Sequence, residues 1–257
     1  MARTARERSE SCIYHVVLRG INRQDIFFDD DDFQRFLETI EQKKSESQFD
    51  LYGYCLMNNH VHILIREKSD RISRIMSRIG TSYAWWYNRK YDRSGHVFQG
   101  RYGSECVEDD TYLLTVIRYI HNNPLKAKIV QEAEDYRWSS IHEYYGGGEY
   151  PVGITEPEFI LGMIHENRTE AIEGFRQYMK QENDDNCLDE QIKLRKTDGE
   201  VRAEIEAMLN GEPIGRLLGL EKSKRQEILR TIKQSEGVTQ RQIARVTGLH
   251  QSIIFKA

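Results

Sequence analysis

Two histidines separated by one valine, His60 and His62 in the run YCLMNNHVHILIR, could together bind a divalent metal ion. Successive side chains of a β-strand point to opposite faces, so positions i and i+2 project from the same face. Val61 then faces the core while both imidazoles face outward, and histidine is the commonest ligand of such metals. Two histidines leave room for further ligands and a substrate oxygen. The pair by itself is a weak signal, because so short a motif also arises by chance.

A tyrosine further along the chain has a polar partner one helical turn away. Tyr119 and Asn123 are four residues apart, so they share a face if the helix predicted for Tyr112–Asn122 continues that far. We expect Pro124 to end this helix, which leaves the direction of Asn123 loosely determined. His121 should point away from Tyr119. Tyr119 is one of 14 tyrosines, and its spacing alone favours an aromatic residue of the core or the surface.

The elements that would position these residues alternate between strand and helix. Ser11–Arg19 is predicted as a strand, and apolar spacing predicts a helix that follows the acidic residues 29–32 and continues to about Ser47. Leu51–Arg66 is one strand or a hairpin that turns at Asn58-Asn59. A long helix, Arg71–Tyr91, and a strand, Val97–Val107, precede the helix of Tyr119. An antiparallel sheet with helices packed on one face would bury this pattern. His15 in the first strand faces either the site or the core.

A basic and aromatic stretch suits single-stranded nucleic acid. Residues 71–101 contain seven arginines and lysines against one acid, Asp92, interleaved with six aromatic residues. Cationic groups contact phosphates, and aromatic faces stack on unpaired bases. The alternative is a solvated charged helix face with Trp85 or Trp86 in the core. The candidate DNA-binding residues are Arg19, Arg71, Arg74, Arg78, Trp85, Arg89, Lys90 and Arg101.

Length and charge distribution suggest that the chain contains more than one domain. The chain has 257 residues and a net charge of −4, with 39% hydrophobic and 30% charged residues. We expect a catalytic domain at 1–146, an acidic helical linker at 147–199 that follows the Gly146–Gly148 run, and a helical DNA-binding domain at 200–257. The linker carries 6 basic and 12 acidic residues, and the last segment carries 10 and 7. Local charge, more than net charge, sets the field that a phosphate backbone meets.

Composition also predicts the cellular setting. Four cysteines lie far apart without a CxxC pair, which argues against a zinc cluster and favours reduced thiols. No apolar run reaches 18 residues, and the charged N-terminus is not followed by an apolar segment, so we expect neither a membrane span nor a secretory signal. The expected location is the cytoplasm.

Several ordered motifs together resemble a known family. HVH, HVFQGRY at 96–102 and RYIHNNPLKA at 118–127 are similar to the single-tyrosine HUH transposases of the IS200-like family. YHVVLRGINR at 14–23 and YRWSS at 136–140 resemble its branch of REP-associated tyrosine transposases. The resemblance covers about residues 11–145.

This resemblance implies a fold, a site and a reaction. The fold would be α+β, a ferredoxin-like antiparallel sheet with helices on it (the HUH endonuclease fold), followed by an all-α C-terminal region. His60 and His62 would bind a divalent metal, Mg²⁺ or Mn²⁺, with Asn123 as a further ligand, and Tyr119 would be the nucleophile. The expected partner is single-stranded DNA, often beside a short hairpin. Both a monomer and a homodimer remain open.

The C-terminal residues resemble a helix-turn-helix similar to the C-terminal module of bacterial replication initiators. Ala244, Gly248 and Ile254 have spacings that suit close helix packing, a tight turn and a buried residue of the recognition helix. Arg241 and Arg245 are the candidate contacts to duplex DNA. An ordinary small helical bundle is the alternative.

The predicted function is a single-stranded DNA endonuclease and strand transferase that forms a 5′-phosphotyrosine. One alternative is a non-catalytic DNA-binding regulator that keeps the transposase fold. Another is a metal-dependent phosphoesterase that uses water as its nucleophile.

Overall fold

The computed structural model describes residues 7–147, 153–183, 185, 187–188, 196–235 and 237–256. Its first part follows the order β-α-β-β-α-β, and all three strand pairings are antiparallel, in the sheet order β2-β3-β1-β4. This is the ferredoxin-like topology, so the predicted α+β fold class is confirmed. The elements are β1 (Ile13–Arg19), α1 (Asp30–Ser47), β2 (Asp50–Met57), β3 (His60–Arg66), α2 (Ile72–Lys90) and β4 (Gly103–Cys106).

Helices cover both faces of the sheet, which corrects the expectation that they pack on one face. Helices α1 and α2 pack on the face that carries Val16, Val61 and Ile63. The opposite face carries Leu64 and is covered by α3 (Asp110–Lys126) together with later helices. A strand buried on both sides explains why β3 is apolar at almost every position apart from its histidines.

Of two strand predictions, one is confirmed and one needs a physical correction. Leu51–Arg66 is a hairpin that turns at Asn58-Asn59, the break that its sequence suggests. Strand β4, by contrast, is only four residues long, although 97–107 is predicted as a strand. Gly100 takes φ +71°, a left-handed conformation that interrupts extended backbone, and Phe98 makes only an isolated bridge to Gly20.

Helix α3 continues through Pro124 to Lys126, so the prediction that Pro124 ends it is wrong. A proline removes one backbone hydrogen bond, to the carbonyl of residue 120 here. The following turn still closes, because Ala127 N–H donates to the carbonyl of Asn123 at 2.9 Å and Ile129 N–H donates to that of Pro124 at 3.0 Å. Asn123 is therefore held inside the helix, one turn after Tyr119.

The outer edge of β2 is covered by the YRWSS motif, residues 136–140, and by Glu156. Leu56 N–H donates to the carbonyl of Trp138 at 2.9 Å, and Tyr54 N–H donates to Ser140 Oγ at 2.9 Å. Farther along, Leu51 and Glu156 exchange two hydrogen bonds. The YRWSS motif is thus structural, because it satisfies backbone groups that an edge strand would leave open.

The described residues after α3 contain helices and no further strand of the sheet. In the first unit these helices are α4 (Ile141–Tyr144), α5 (Pro157–Ile164) and α6 (Arg168–Lys180). In the second unit they are α7 (Asp198–Met208), α8 (Arg216–Gly219), α9 (Lys222–Gln234), α10 (Gln240–Thr247) and α11 (Gln251–Lys256). No described helix is long and apolar enough to cross a membrane.

Two compact units divide the chain, residues 1–191 and 192–257. Ile160, Leu161 and Phe175 of α5 and α6 are buried in the same cluster as α3. Helices α5 and α6 therefore pack within the first unit, although they lie in the range expected to be an acidic helical linker. The boundary expected at Gly146–Gly148 lies partly outside the described residues.

We predict that Ser140→Ala lowers the free energy of unfolding by about 1–3 kcal/mol. The buried hydroxyl accepts from Tyr54 N–H and lies 2.8 Å from His121 Nε2, and both would lose their partner. Urea denaturation measures the change. Ser45→Ala is the control, because its exposed hydroxyl bonds only the carbonyl of Gln42. Equal stability of the two variants would contradict the prediction.

Candidate metal and tyrosine site

Strand β3 places both histidines on the sheet face that α3 covers. His62 is fully buried and His60 is partly exposed, with ring centroids 5.0 Å apart. His60 Nδ1 lies 2.6 Å from Asn59 Oδ1. An amide oxygen only accepts, so Nδ1 of His60 donates and its Nε2 carries the lone pair. The predicted side-by-side arrangement of the two imidazoles is what the structure has.

Helix α3 brings Tyr119 and Asn123 against this pair. The Tyr119 ring centroid lies 5.7 Å from that of His62, and Asn123 Nδ2 lies 3.2 Å from His62 Nε2. The Lys126 ammonium lies 4.7 Å from the Tyr119 ring centroid, a cation–π distance. His121 points elsewhere, as expected, with Nε2 at 2.8 Å from Ser140 Oγ.

The donor set suits a divalent metal. Burial first, and then the neighbouring His60, His15 and Arg19, lower the pKa of His62 well below its ordinary value, so its ring is neutral as a ligand must be. Among the described residues, no three His, Cys, Asp or Glu side chains form a group that could hold a metal. A metal here would thus depend on two imidazoles and the Asn123 amide, a donor set within the range of divalent ions.

Two further polar residues extend the site beyond His62: His15, whose direction the sequence left open, and Glu105, which sequence analysis did not single out. His15 Nε2 lies 3.0 Å from His62 Nδ1, and His15 Nδ1 lies 2.8 Å from Glu105 Oε1. His15 thus faces the site, which resolves the alternative left open for it. A polar histidine within the apolar strand β1 was a usable signal for His15. Nothing in the sequence connects Glu105 with a strand 90 residues earlier.

The basic residues of α2 lie on the other side of the sheet from the histidines, and several are engaged in ion pairs. Arg74 and Arg78 both donate to Asp70, at 3.0 and 2.8 Å. Lys90 donates to Asp29 at 2.5 Å and to the fully buried Asp32 at 2.8 Å. Burial lowers the pKa of Lys90, but these hydrogen bonds outweigh it and raise the pKa above its ordinary value. Lys90 therefore has a structural role at the start of α1.

Other predicted DNA contacts are accessible. Arg71, Arg89 and Arg101 are exposed, and Trp85 is 62% exposed with the Arg89 guanidinium 5.6 Å from its ring centroid. A groove of about 590 Å³ between α2 and residues 95–102 includes Trp85 and Arg101. Trp86 packs partly buried against the core. Arg19 is the register partner of His60 at the end of β1.

In the second unit, Arg241 is exposed, whereas Arg245 forms a bidentate pair with Asp198 at 2.7 and 2.6 Å. Gly248 ends α10 with φ +71°, and Ile254 of α11 is fully buried. These positions agree with the packing expected of them. Whether the helices form a DNA-binding helix-turn-helix stays a prediction.

Comparison with known proteins finds a family that is similar to the first part of the chain. Residues 8–123 match the family model described as "Transposase IS200 like". This match confirms the resemblance drawn from the motifs.

The chain is also similar to one curated protein and to one solved structure. The "Putative REP-associated tyrosine transposase" of Haemophilus influenzae is 24% identical over 132 residues, which cover 47% of this chain and 75% of that protein. A solved structure of a REP-associated tyrosine transposase bound to a REP hairpin is 18% identical, with a TM-score of 0.49, and covers 59% of this chain and 89% of that one.

We predict that Lys90→Met destabilises the first unit by about 2 kcal/mol, because it leaves the buried Asp32 without its cation. Arg89→Met, at the exposed neighbouring position, should leave stability unchanged and weaken binding of single-stranded DNA. Urea denaturation and fluorescence anisotropy with an oligonucleotide measure the two effects. Loss of DNA affinity without loss of stability in Lys90→Met would contradict this assignment.

Proposed function

We propose that this protein is a metal-dependent single-stranded DNA endonuclease and strand transferase with Tyr119 as its nucleophile. The bond between Tyr119 Oη and phosphorus forms as the bond from phosphorus to the 3′ oxygen breaks. The phenol loses its proton, and the departing 3′ oxygen takes one up. The product is a 5′-phosphotyrosine that keeps the phosphate ester, so the free 3′-hydroxyl of another end can reverse the step.

One observation carries the proposal. Tyr119 and Asn123 lie one turn apart on α3, and both face the buried His62, with the tyrosine ring 5.7 Å away and the amide within hydrogen-bonding distance. If Tyr119 only packed in the core, it would not require two histidines that could bind a metal to lie opposite it. The relation to transposases supports a reaction on DNA.

In this proposal, His60 and His62 would hold Mg²⁺ or Mn²⁺ through Nε2, with Asn123 as a further ligand. The ion would neutralise charge that develops on the scissile phosphate. The other groups belong to the chain itself. A free tyrosine has a pKa of about 10, so little phenolate exists at neutral pH. The Lys126 ammonium lies 4.7 Å from the Tyr119 ring centroid and is the cation placed beside the proposed nucleophile.

The DNA would be single-stranded beside a hairpin, as the resemblance to REP-associated transposases implies. Trp85 offers an exposed aromatic face for an unpaired base, and base stacking contributes about 1–3 kcal/mol. Arg71, Arg89 and Arg101 are exposed cations for the phosphates. The second unit would contact duplex DNA through Arg241.

The second candidate is a non-catalytic DNA-binding regulator. It is favoured by the burial of Tyr119, whose side chain is 3% exposed and covered on one face by Lys126. A nucleophile must reach its phosphate, so this tyrosine has to become accessible when DNA binds. A regulator would need no such movement.

We predict that Tyr119→Phe abolishes a covalent adduct with single-stranded hairpin DNA in Mg²⁺ or Mn²⁺. The phenylalanine ring keeps the packing but lacks the attacking oxygen. The assay separates 5′- and 3′-labelled hairpins, incubated with the full chain, on a denaturing protein gel. The protein band should carry the 3′ label, because the downstream fragment retains the phosphate bound to the tyrosine.

Tyr145→Phe is the matched control, since Tyr145 packs against Phe175 with ring centroids 6.1 Å apart and should keep full activity. His60→Ala should lose the adduct as well. Tight DNA binding without an adduct on any hairpin would favour the regulator. Cleavage that persists in Tyr119→Phe, without an adduct, would favour water as the nucleophile.

We predict that Arg241→Ala weakens duplex binding and reduces the slope of log affinity against log salt by about one, as expected for one lost phosphate contact. Arg245→Ala is the comparison, because its charge is engaged with Asp198 and its loss should lower the stability of the second unit instead. Fluorescence anisotropy with a labelled duplex over a salt series measures both. An unchanged salt slope in Arg241→Ala would contradict the duplex contact.

A further inference from the structure

A row of hydrogen-bonded side chains crosses three strands beside the candidate metal site. In the sheet order β3-β1-β4, it runs from His62 through His15 to Glu105. Both histidine rings are fully buried, so each nitrogen within the row needs a partner from the protein. The row ends at Asn123 on α3, opposite His62 Nε2.

The direction of these hydrogen bonds follows from the carboxylate at the end of the row. An ionised carboxylate only accepts, so His15 Nδ1 donates to Glu105 Oε1. At the other end of the row, an amide nitrogen only donates, so Asn123 Nδ2 donates to His62 Nε2 at 3.2 Å, and His62 Nδ1 carries the proton that faces His15 Nε2 at 3.0 Å. His62 is thereby left with its lone pair on Nε2, the nitrogen that faces Asn123 Nδ2.

Glu105 is held in its accepting state by its other contacts. Leu188 N–H donates to the same oxygen that receives His15, at 3.1 Å. Leu188 thus takes part in the row, although it lies outside residues 8–123, which match the transposase family.

The partly exposed His60 has the same tautomer, which is fixed by a single hydrogen bond to a neighbouring side chain. Its Nδ1 donates to the side chain of the preceding residue, Asn59, at 2.6 Å. Both imidazoles therefore have the tautomer with a lone pair on Nε2, one through a neighbour in sequence and the other through two neighbouring strands. A core histidine that only needed a hydrogen-bond partner would have no reason to share the tautomer of the other histidine.

We infer that His15 and Glu105 are positioning residues that fix the tautomer and ring orientation of His62, so that Nε2 is ready to bind a divalent metal. This inference rests on the proposed function, in which His62 is a ligand. Carboxylates that act on metal-ligand histidines are known as a general device, and their loss typically lowers metal affinity about 10–100-fold. Here a second imidazole relays the effect of the carboxylate.

The test measures the His62 tautomer directly in the metal-free full chain. Histidine labelled with ¹⁵N gives distinct signals for a protonated and an unprotonated ring nitrogen, and the His62→Asn spectrum assigns them. The wild type should have a protonated Nδ1 and an unprotonated Nε2 at neutral pH. In His15→Phe and Glu105→Gln, His62 should populate both tautomers.

Titration with Mn²⁺ is the second readout. Affinity should fall about 10–100-fold in His15→Phe and Glu105→Gln, and His15→Gln, whose amide oxygen can still accept from His62, should recover part of it. The matched control is His165→Phe with Glu170→Gln, a surface pair joined at 3.0 Å whose removal should change neither readout.

Two outcomes overturn the inference. One is a His62 tautomer that stays unchanged in both His15→Phe and Glu105→Gln, and the other is Mn²⁺ affinity within about twofold of the wild type in both variants. A wild type that binds no Mn²⁺ would contradict the proposed metal site, and the tautomer spectra would then decide the role of His15 and Glu105 by themselves. Glu105→Gln keeps the size of the side chain, so a changed tautomer or Mn²⁺ affinity in this variant would not be explained by loss of folding.

Discussion

The alternation of side chains along β3 is the constraint on which the site depends. Val61 and Ile63 point into the core beneath α1 and α2, while His60 and His62 point toward α3. A register slip by one residue would exchange the two faces and bury the histidines under α2. The apolar residues of β3, and the pairing of β3 with strands on both sides, hold this register. Hydrophobic packing under α1 and α2 therefore determines which way the histidines point, although that face of the sheet contains none of the site residues.

The sequence allowed the prediction of those features that depend on local periodicity. The histidine spacing, the turn at Asn58-Asn59 and the long helix α2 all follow from patterns within one element. The continuation of α3 past Pro124 did not follow, because it depends on backbone hydrogen bonds that form beyond the proline. The short β4 was also missed, since apolar composition does not reveal a left-handed glycine at position 100.

Features that join distant elements could not be predicted from one sequence. Glu105 reaches His62 only through His15, and that contact exists because β1 pairs with both β3 and β4. The role of Lys90 is a similar case. On α2 it resembles its exposed neighbour Arg89, yet its ammonium is bound at the start of α1. The sequence shows that both residues are cations. Whether such a cation stabilises the fold or is available to bind DNA depends on whether its acidic partner is buried.

The covered edge of β2 has a consequence for how copies of this chain can meet. Strand-to-strand association between two sheets requires open backbone donors and acceptors on both edges. At β2 the residues of the YRWSS motif and Glu156 already satisfy them, so a second sheet would first have to displace Trp138 and Ser140. The other edge is β4, which offers only four residues. Both edges of the sheet are therefore poor templates for uncontrolled sheet extension, and at β2 the YRWSS motif is the reason.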